Sequence, residues 1–402
     1  MSLNDKSKNN KNPNENKANQ EENNKDKENK EKNNDNSKSL SSMQDLNNYI
    51  NMKEIVSAFF NYQIDALRDV SRMERDFKAI GEKYTKRLPF NYEDRIAKLK
   101  QAISQNYSFL LNIAQPYRNL FKLNKTQSGE VYMEPLAVQA TDIIRIRSAL
   151  RLFVRDWAIE GLDERKTTYE PILNELKLFF KNKSEKDFEN GINVLVPGAG
   201  LGRLLYEIAK LGFKAQGNEY SYYMVLFYTF FFSYEIKPNQ FTIQPFIHTL
   251  SNLFDFETAY KKVMIPDENI KEGLSKTKTG SIFMMAGEFC SAYKEKVNSF
   301  DSVVTCFFID TANNIIEYIE TIYSTLKEGG LWINFGPLFY HHTDNPREIS
   351  IELGWKELKE VIVGFGFEFT KEEIVETTYS SDKDSMIKRV YRCIFFSAVK
   401  KK

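Results

Sequence analysis

The strongest constraint on what this chain can fold into begins at Asn193. Val194-Leu195-Val196 is a short apolar run, Pro197-Gly198-Ala199-Gly200-Leu201-Gly202 follows, and an amphipathic stretch covers Arg203 to Leu211. That succession reads as strand, tight glycine turn and helix. Strand and helix signals then alternate to the C-terminus. Strand candidates are Lys214–Asn218, Ser281–Ala286, Ser302–Phe308 and Leu331–Phe335. A helix over Trp355–Val363 precedes two last strands, Glu368–Thr378 and Tyr391–Lys400. Alternation of this kind builds a parallel sheet with helices on both faces. The connection between the last two strands predicts an antiparallel hairpin.

Upstream the texture is helical. Ile55, Phe59, Tyr62, Ala66 and Val70 recur at helical spacing, and order begins near Met43. A second helix is expected from about Tyr92 to Ala114, with Ile96, Leu99, Ile103, Tyr107, Leu110 and Leu111 on one side and a proline break at Pro116. A third covers about Thr141 to Ala158 and a fourth about Tyr169 to Phe180. Residues 1–40 hold 13 asparagines, 9 lysines, 8 acids and no aromatic residue. Such a segment buries too little apolar surface to offset its ordering entropy, so residues 1–42 are expected to be a disordered, solvated tail. The expected organisation is that tail, an all-helical region over 43–185 and a Rossmann-like α/β domain over 186–402, with a seven-stranded sheet ending in an antiparallel hairpin.

Composition narrows the function. The 402 residues carry a formal net charge of +1, whereas nucleic-acid binding normally needs a basic excess. Cys290, Cys306 and Cys393 form no zinc pattern and no disulfide framework, which fits a reducing compartment. No secretory signal and no membrane-spanning run stands out; Tyr222 to Phe232 is too short to span and reads as a buried helix. The expected location is the cytosol, with the nucleus as an addition. A homodimer stays open.

The glycines after the first strand let a cofactor reach the backbone, and the next helix offers free N–H groups and a positive dipole end. Glu219 closes the following strand, where a carboxylate can accept from ribose hydroxyls. These two motifs suit a nicotinamide or S-adenosylmethionine equally. The third strand ends Met285-Ala286-Gly287-Glu288-Phe289, an acid for an adenine amino group beside an apolar ring that packing alone would also explain. The final hairpin tips the balance to S-adenosylmethionine, because dinucleotide domains usually continue with parallel strands.

Val303 to Asp310 is a buried strand ending in an acid, the place where a group beside the transferred methyl stands in this architecture. Asp310 is therefore the candidate catalytic residue; its competing reading is the N-cap of a helix starting near Asn313. Cys306 reads as packing or a cofactor wall, without a thiolate-stabilising neighbour in sequence. His341 and His342 follow the fifth strand. Neighbours in a strand point to opposite sides, so one of them lining a substrate pocket is expected rather than a metal site. His248 reads as structural.

With these segments in view, the chain resembles the carnosine N-methyltransferase family from roughly Tyr49 to its end. The resembling runs are Phe153-Val154-Arg155-Asp156-Trp157, Val194 to Glu219, Met285 to Phe289, Phe307-Phe308-Ile309-Asp310-Thr311-Ala312, Gly336-Pro337-Leu338 with Tyr340-His341, and Tyr391 before Cys393-Ile394-Phe395-Phe396. The resemblance implies methylation of the proximal imidazole nitrogen of a histidine dipeptide, turning carnosine into anserine and S-adenosylmethionine into S-adenosylhomocysteine. It implies that Arg155 holds the cofactor carboxylate, while Gly198, Glu219, Glu288 and Phe289 hold the rest. Asp310, His341, Tyr379 and Tyr391 would contact the substrate. Two positions depart from the family: Leu152 stands where Gln is usual, so a polar cofactor contact is lost, and Glu288 stands where Asp is usual. Alternatives are a protein-histidine methyltransferase of the same fold, a non-catalytic scaffold that binds S-adenosylmethionine, and a nicotinamide oxidoreductase.

Overall fold

The computed structural model describes residues 52–121, 123–125, 131–133 and 136–401. The expected tail over 1–42 and the onset of order near Met43 lie outside them. The chain divides into a short unit, Met1–Glu54, and a large one, Ile55–Lys402. All that follows belongs to the large unit.

Its first helix, α1, covers 55–80, and α2 covers Tyr92–Ala114. The Asn91 side chain caps α2 by accepting from the Glu93 and Asp94 N–H groups. The apolar spacing buries Ile96, Leu99, Ile103 and Leu110, as the sequence implies. The break at Pro116 is a 3-10 turn over Gln115–Leu120. α3 covers Ala140–Trp157 and α4 covers Leu162–Phe179. α4 thus starts well before the expected Tyr169. Sequence rules place a proline in the first helical turn, yet Pro171 lies deep inside this helix. The true first turn carries Asp163 and Glu164, whose charge suits a helix N-terminus. The region is also not wholly helical, since Leu123–Lys125 and Val131–Met133 form an antiparallel ribbon.

The α/β part runs β1 (Asn193–Pro197), α5 (Arg203–Lys210), β2 (Lys214–Glu219), α6 (Tyr222–Ser233), β3 (Ser281–Ala286), α7 (Phe289–Tyr293), β4 (Phe300–Cys306), α8 (Ile315–Thr325), β5 (Leu326–Gly336), α9 (Trp355–Gly364), β6 (Phe367–Thr377) and β7 (Tyr391–Lys400). The seven strands lie in the order β3-β2-β1-β4-β5-β7-β6. Strands β1 to β5 pair in parallel. β7 is antiparallel to both neighbours and inserts between β5 and β6. The expected hairpin is present, and its second strand takes the inner position. A further ribbon, Phe241–Ile243 with Val263–Ile265, had no counterpart in the sequence reading.

One face of the sheet packs on α4 and α5 through Ile172, Leu205, Ile208 and Phe335; the other packs on α8 and α9 through Ile319, Ile322, Trp332 and Leu358. α6 buries Tyr223, Leu226, Phe227 and Phe231 on one stripe. Phe227 meets Phe59 of α1 at 5.2 Å and Phe153 of α3 at 5.1 Å between ring centroids. Each such pair adds about 0.5–1.5 kcal/mol beyond area burial. The cluster fixes α3 against the sheet layer, and that fixes where Arg155 stands. No helix among the described residues is long and apolar enough to cross a membrane.

Candidate active site

The glycine turn after β1 has positive φ at Gly198 (65°) and Gly202 (80°). A Cβ at Gly198 would come within 2.5 Å of the Phe308 ring, and one at Gly202 within 2.7 Å of Tyr228. Both positions therefore require glycine, for conformation and for space. The Gly200 N–H donates to the Glu219 carboxylate at 2.8 Å, and the Ser221 N–H donates to the other oxygen at 2.8 Å. Glu219 is thus tied to the turn it was expected to serve. Burial raises its pKa, while the Ser221 and Gly200 amides oppose the shift.

Arg155, near the end of α3, reaches that turn from the helical region. It is only 6% exposed. It lines one cavity with Leu152, Gly198, Cys306 and Tyr379, five of the expected site residues. Its Nη1 donates to Asp156 Oδ1 at 3.1 Å, its Nη2 lies 4.0 Å from the Cys306 sulfur, and its Nε is buried with no hydrogen-bond partner. The guanidinium sits 4.7 Å from the Tyr379 ring centroid and 4.9 Å from that of Tyr169. A buried guanidinium with an orphaned donor is a seat for an anion. Leu152 offers that cavity no polar atom. Burial pushes the Cys306 thiol up to about 11, the Arg155 charge only partly opposing it, so the cysteine is a neutral wall.

Asp310 follows β4 in a 3-10 turn and is 2% exposed. It does not cap the next helix: the Asn314 side chain caps α8 by accepting from the Ile316 N–H. Asp310 Oδ2 accepts from the Phe339 N–H at 2.9 Å, and its backbone carbonyl accepts from the His341 N–H at 3.1 Å. The Asp310 backbone N–H also donates to the carboxylate. Burial raises the carboxyl pKa; the Phe339 amide and the His341 charge oppose the shift. The His341 ring is exposed, edge-on to Phe339. His342 is bonded on both nitrogens, to Glu348 and to the Thr311 carbonyl. Of the pair, His342 is thus engaged within the fold, whereas the His341 ring is exposed. His248 lies elsewhere, half-buried, its Nε2 hydrogen-bonded with the Tyr62 hydroxyl at 2.7 Å, and desolvation with Arg147 and Arg151 pushes its pKa down to about 3.

Phe307 and Phe308 connect the two halves of the site. Phe307 has φ 52°, a left-handed conformation costly for an aromatic residue and frequent at functional sites. Its ring meets Tyr379 at 4.7 Å and Tyr391 at 5.9 Å. Phe308 meets Phe289 at 5.4 Å. Phe289 itself is 2% exposed, with Tyr293 and Tyr318 also around it, so its ring does the packing that the competing reading allowed. Glu288 is exposed and caps α7, accepting from the Cys290 and Ser291 N–H groups at 2.8 and 2.7 Å. These two stand apart from the Arg155 cavity, as do Asp310 and His341. Among the described residues no group of three His, Cys, Asp or Glu is placed to hold a metal ion.

Sequence reasoning missed several contributors. Asp156 and Tyr169 line the Arg155 cavity. Asp156 sat inside a quoted run, so its charge was a usable signal; Tyr169 gave none beyond helix periodicity. Glu164, 8% exposed, accepts from the Thr378 hydroxyl, the Ser380 N–H at 3.0 Å and the Ser381 N–H at 3.1 Å. One carboxylate on α4 thereby fixes the segment that carries Tyr379. Nothing in the sequence distinguishes Glu164 from any acid in a first helical turn.

The reversed seventh strand, the glycine turn joined to an acid at the tip of β2, and the buried guanidinium define an S-adenosylmethionine-dependent methyltransferase. A family model described as carnosine N-methyltransferase matches residues 133–402. The chain is 36% identical over 312 residues to the carnosine N-methyltransferase of Mus musculus, covering 77% of this chain and 76% of that one. It is 35% identical over 357 residues to the carnosine N-methyltransferase of Dictyostelium discoideum, covering 87% and 76%. Among solved structures it is similar to the complex between the Haloferax volcanii Trm112 methyltransferase activator and a putative methyltransferase, at TM-score 0.38 and 14% identity over 64% of this chain and 98% of that one. The chain belongs to the carnosine N-methyltransferase family.

Proposed function

We propose that this enzyme methylates the proximal imidazole nitrogen of a histidine dipeptide such as carnosine, giving anserine and S-adenosylhomocysteine. The observation that carries the reading is Asp310: a buried carboxylate just after β4, oriented by the Phe339 N–H and joined through its backbone carbonyl to His341. The family relatives bear the name of this activity.

The methyl donor fits the residues present. Arg155, with its orphaned Nε, suits the donor's carboxylate, Glu219 its ribose hydroxyls, and Glu288 its adenine amino group. When bound, S-adenosylmethionine supplies an electrophilic methyl on a sulfonium. The chain's own work is to present the right nitrogen. An imidazole attacks only as the neutral ring, and its pKa of about 6.5 makes most of it neutral near neutral pH. The Asp310 carboxylate accepts the N–H of the distal ring nitrogen. That fixes the tautomer and leaves the lone pair on the proximal nitrogen, as a carboxylate orients histidine in a hydrolase triad. The ring becomes cationic on methylation, and the carboxylate already in place stabilises that charge. His341, Tyr379 and Tyr391 enclose the rest of the dipeptide.

The test is turnover with labelled donor against carnosine, free histidine and a histidine-containing peptide, with the methyl position read by NMR. Methylation of carnosine at the proximal nitrogen is expected. Methyl on the distal nitrogen, or transfer to the peptide alone, overturns the proposal.

A further inference from the structure

We infer that Asp156 is the acceptor for the α-ammonium of the methyl donor, so that Arg155 and Asp156 together form a seat for an amino-acid zwitterion. The inference rests on the methyl-donor reading above and names a residue that reading does not use.

Asp156 is buried and lines the same cavity as Arg155. Its Oδ1 accepts from the Tyr169 hydroxyl at 2.8 Å and from Arg155 Nη1 at 3.1 Å. Its Oδ2 accepts from no described group. The seat therefore has one unused donor, Arg155 Nε, and one unused acceptor on the adjacent residue. A free amino-acid head carries a carboxylate and an ammonium on one carbon. Adjacent residues of opposite charge match that pair, carboxylate to guanidinium and ammonium to carboxylate. Charge balance favours the same arrangement, since a neutral ion pair receives a neutral zwitterion and every buried charge keeps an opposite neighbour.

The fold holds Asp156 and Arg155 rigidly in this register. Arg165 Nη1 donates to the backbone carbonyls of Arg155 and Ala158, both at 2.7 Å. Arg203 Nη1 donates to the Asp156 carbonyl at 2.9 Å. Asp267 joins the two arginines, accepting from each at 2.6 Å. The Trp157 indole donates to the Leu201 carbonyl in the glycine turn at 3.1 Å. The end of α3 is thus bolted to the turn, and the two side chains cannot drift from the cofactor's amino-acid end. A site built to bond a group rejects analogues lacking it, because the buried partner is left unpaired.

The experiment is calorimetric binding of S-adenosylhomocysteine and of its analogue lacking only the amino group. The wild-type full chain should bind the analogue about 10- to 100-fold more weakly, the range of a charge-assisted hydrogen bond. Asp156→Asn should weaken S-adenosylhomocysteine to the analogue's level and leave the analogue unchanged. Tyr169→Phe, which keeps the charge, should preserve the wild-type ratio. Equal wild-type affinity for both ligands overturns the inference, whether or not the variant folds. An equal loss for both in Asp156→Asn also overturns it, leaving Asp156 as a support for Arg155. So does unchanged S-adenosylhomocysteine binding with a raised KM for the dipeptide. If the wild type binds neither ligand, the methyl-donor reading fails and takes this one with it.

Discussion

Replacing Asp310 by Asn separates charge from shape. The amide oxygen can still accept from the Phe339 N–H, so the 2.9 Å bond that orients the side chain survives. What is lost is the negative charge facing a ring that becomes cationic. A unit pair about 4 Å apart at an effective dielectric of ~20 is worth roughly 4 kcal/mol. Only the part gained between the neutral ring and the transition state accelerates the reaction; a third to a half of it gives about 10- to 30-fold in kcat. Loss of tautomer control adds to this, so a fall of about 100-fold is expected. Steady-state kinetics checks it, with S-adenosylhomocysteine binding by calorimetry as the control that should not move.

The same residue ties stability to pH. Burial raises the folded pKa of Asp310 above its unfolded value, so the folded state holds the proton over that window. Stability from this group is present in acid below the unfolded pKa and is lost as pH rises through the folded pKa. At neutral pH the buried charge costs stability. Asp310→Asn should therefore melt at or above the wild-type temperature at neutral pH, and the difference should vanish in acid. A variant within twofold of wild-type kcat would refute the mechanism, and one that melts well below wild type at neutral pH would refute the electrostatic account.

Gly198→Ala places a Cβ at positive φ within 2.5 Å of the Phe308 ring; a cost of about 1–2 kcal/mol from the backbone alone should appear in denaturant melts, with S-adenosylhomocysteine affinity lowered at least ~10-fold. Glu164→Ala strands the Ser380 and Ser381 amides and frees the segment carrying Tyr379. Melting should show a loss of about 1–3 kcal/mol, and kcat/KM should fall more than the small stability change explains, with partial recovery in Glu164→Gln. Cys306→Ala removes a thiol pushed up to about 11 by burial, so turnover between about pH 6 and 9 should stay within roughly threefold, measured as a pH–rate profile.

Periodicity and turn chemistry act over a few residues, and what they control was legible from the chain alone. The strand-turn-helix at Asn193–Leu211, the span of α2, the strands through Gly336 and the reversed ending all follow from local pattern. The positions of Gly198 and Glu219 at the ends of their strands also follow from local pattern, whereas the strand expected to run to Asp310 ends at Cys306 and Asp310 stands in the 3-10 turn after it. The start of α4 was hidden because polar residues and an interior Pro171 carry no apolar period.

Direction and pairing were decided only in three dimensions. The sequence leaves Phe289 between a cofactor contact and core packing; only the fold shows Phe308, Tyr293 and Tyr318 around its ring. β7 takes the inner place beside β5, a choice set by long-range pairing that local pattern does not encode. Arg155 lies far upstream of the glycine turn in sequence, and only the aromatic cluster on α3 and α6 with the Arg165–Asp267–Arg203 network brings it there. Buried charges must find partners wherever the fold supplies them, and for this reason Glu164 had no meaning in the sequence until its neighbours were in place, while Asp156 showed only a charge beside Arg155.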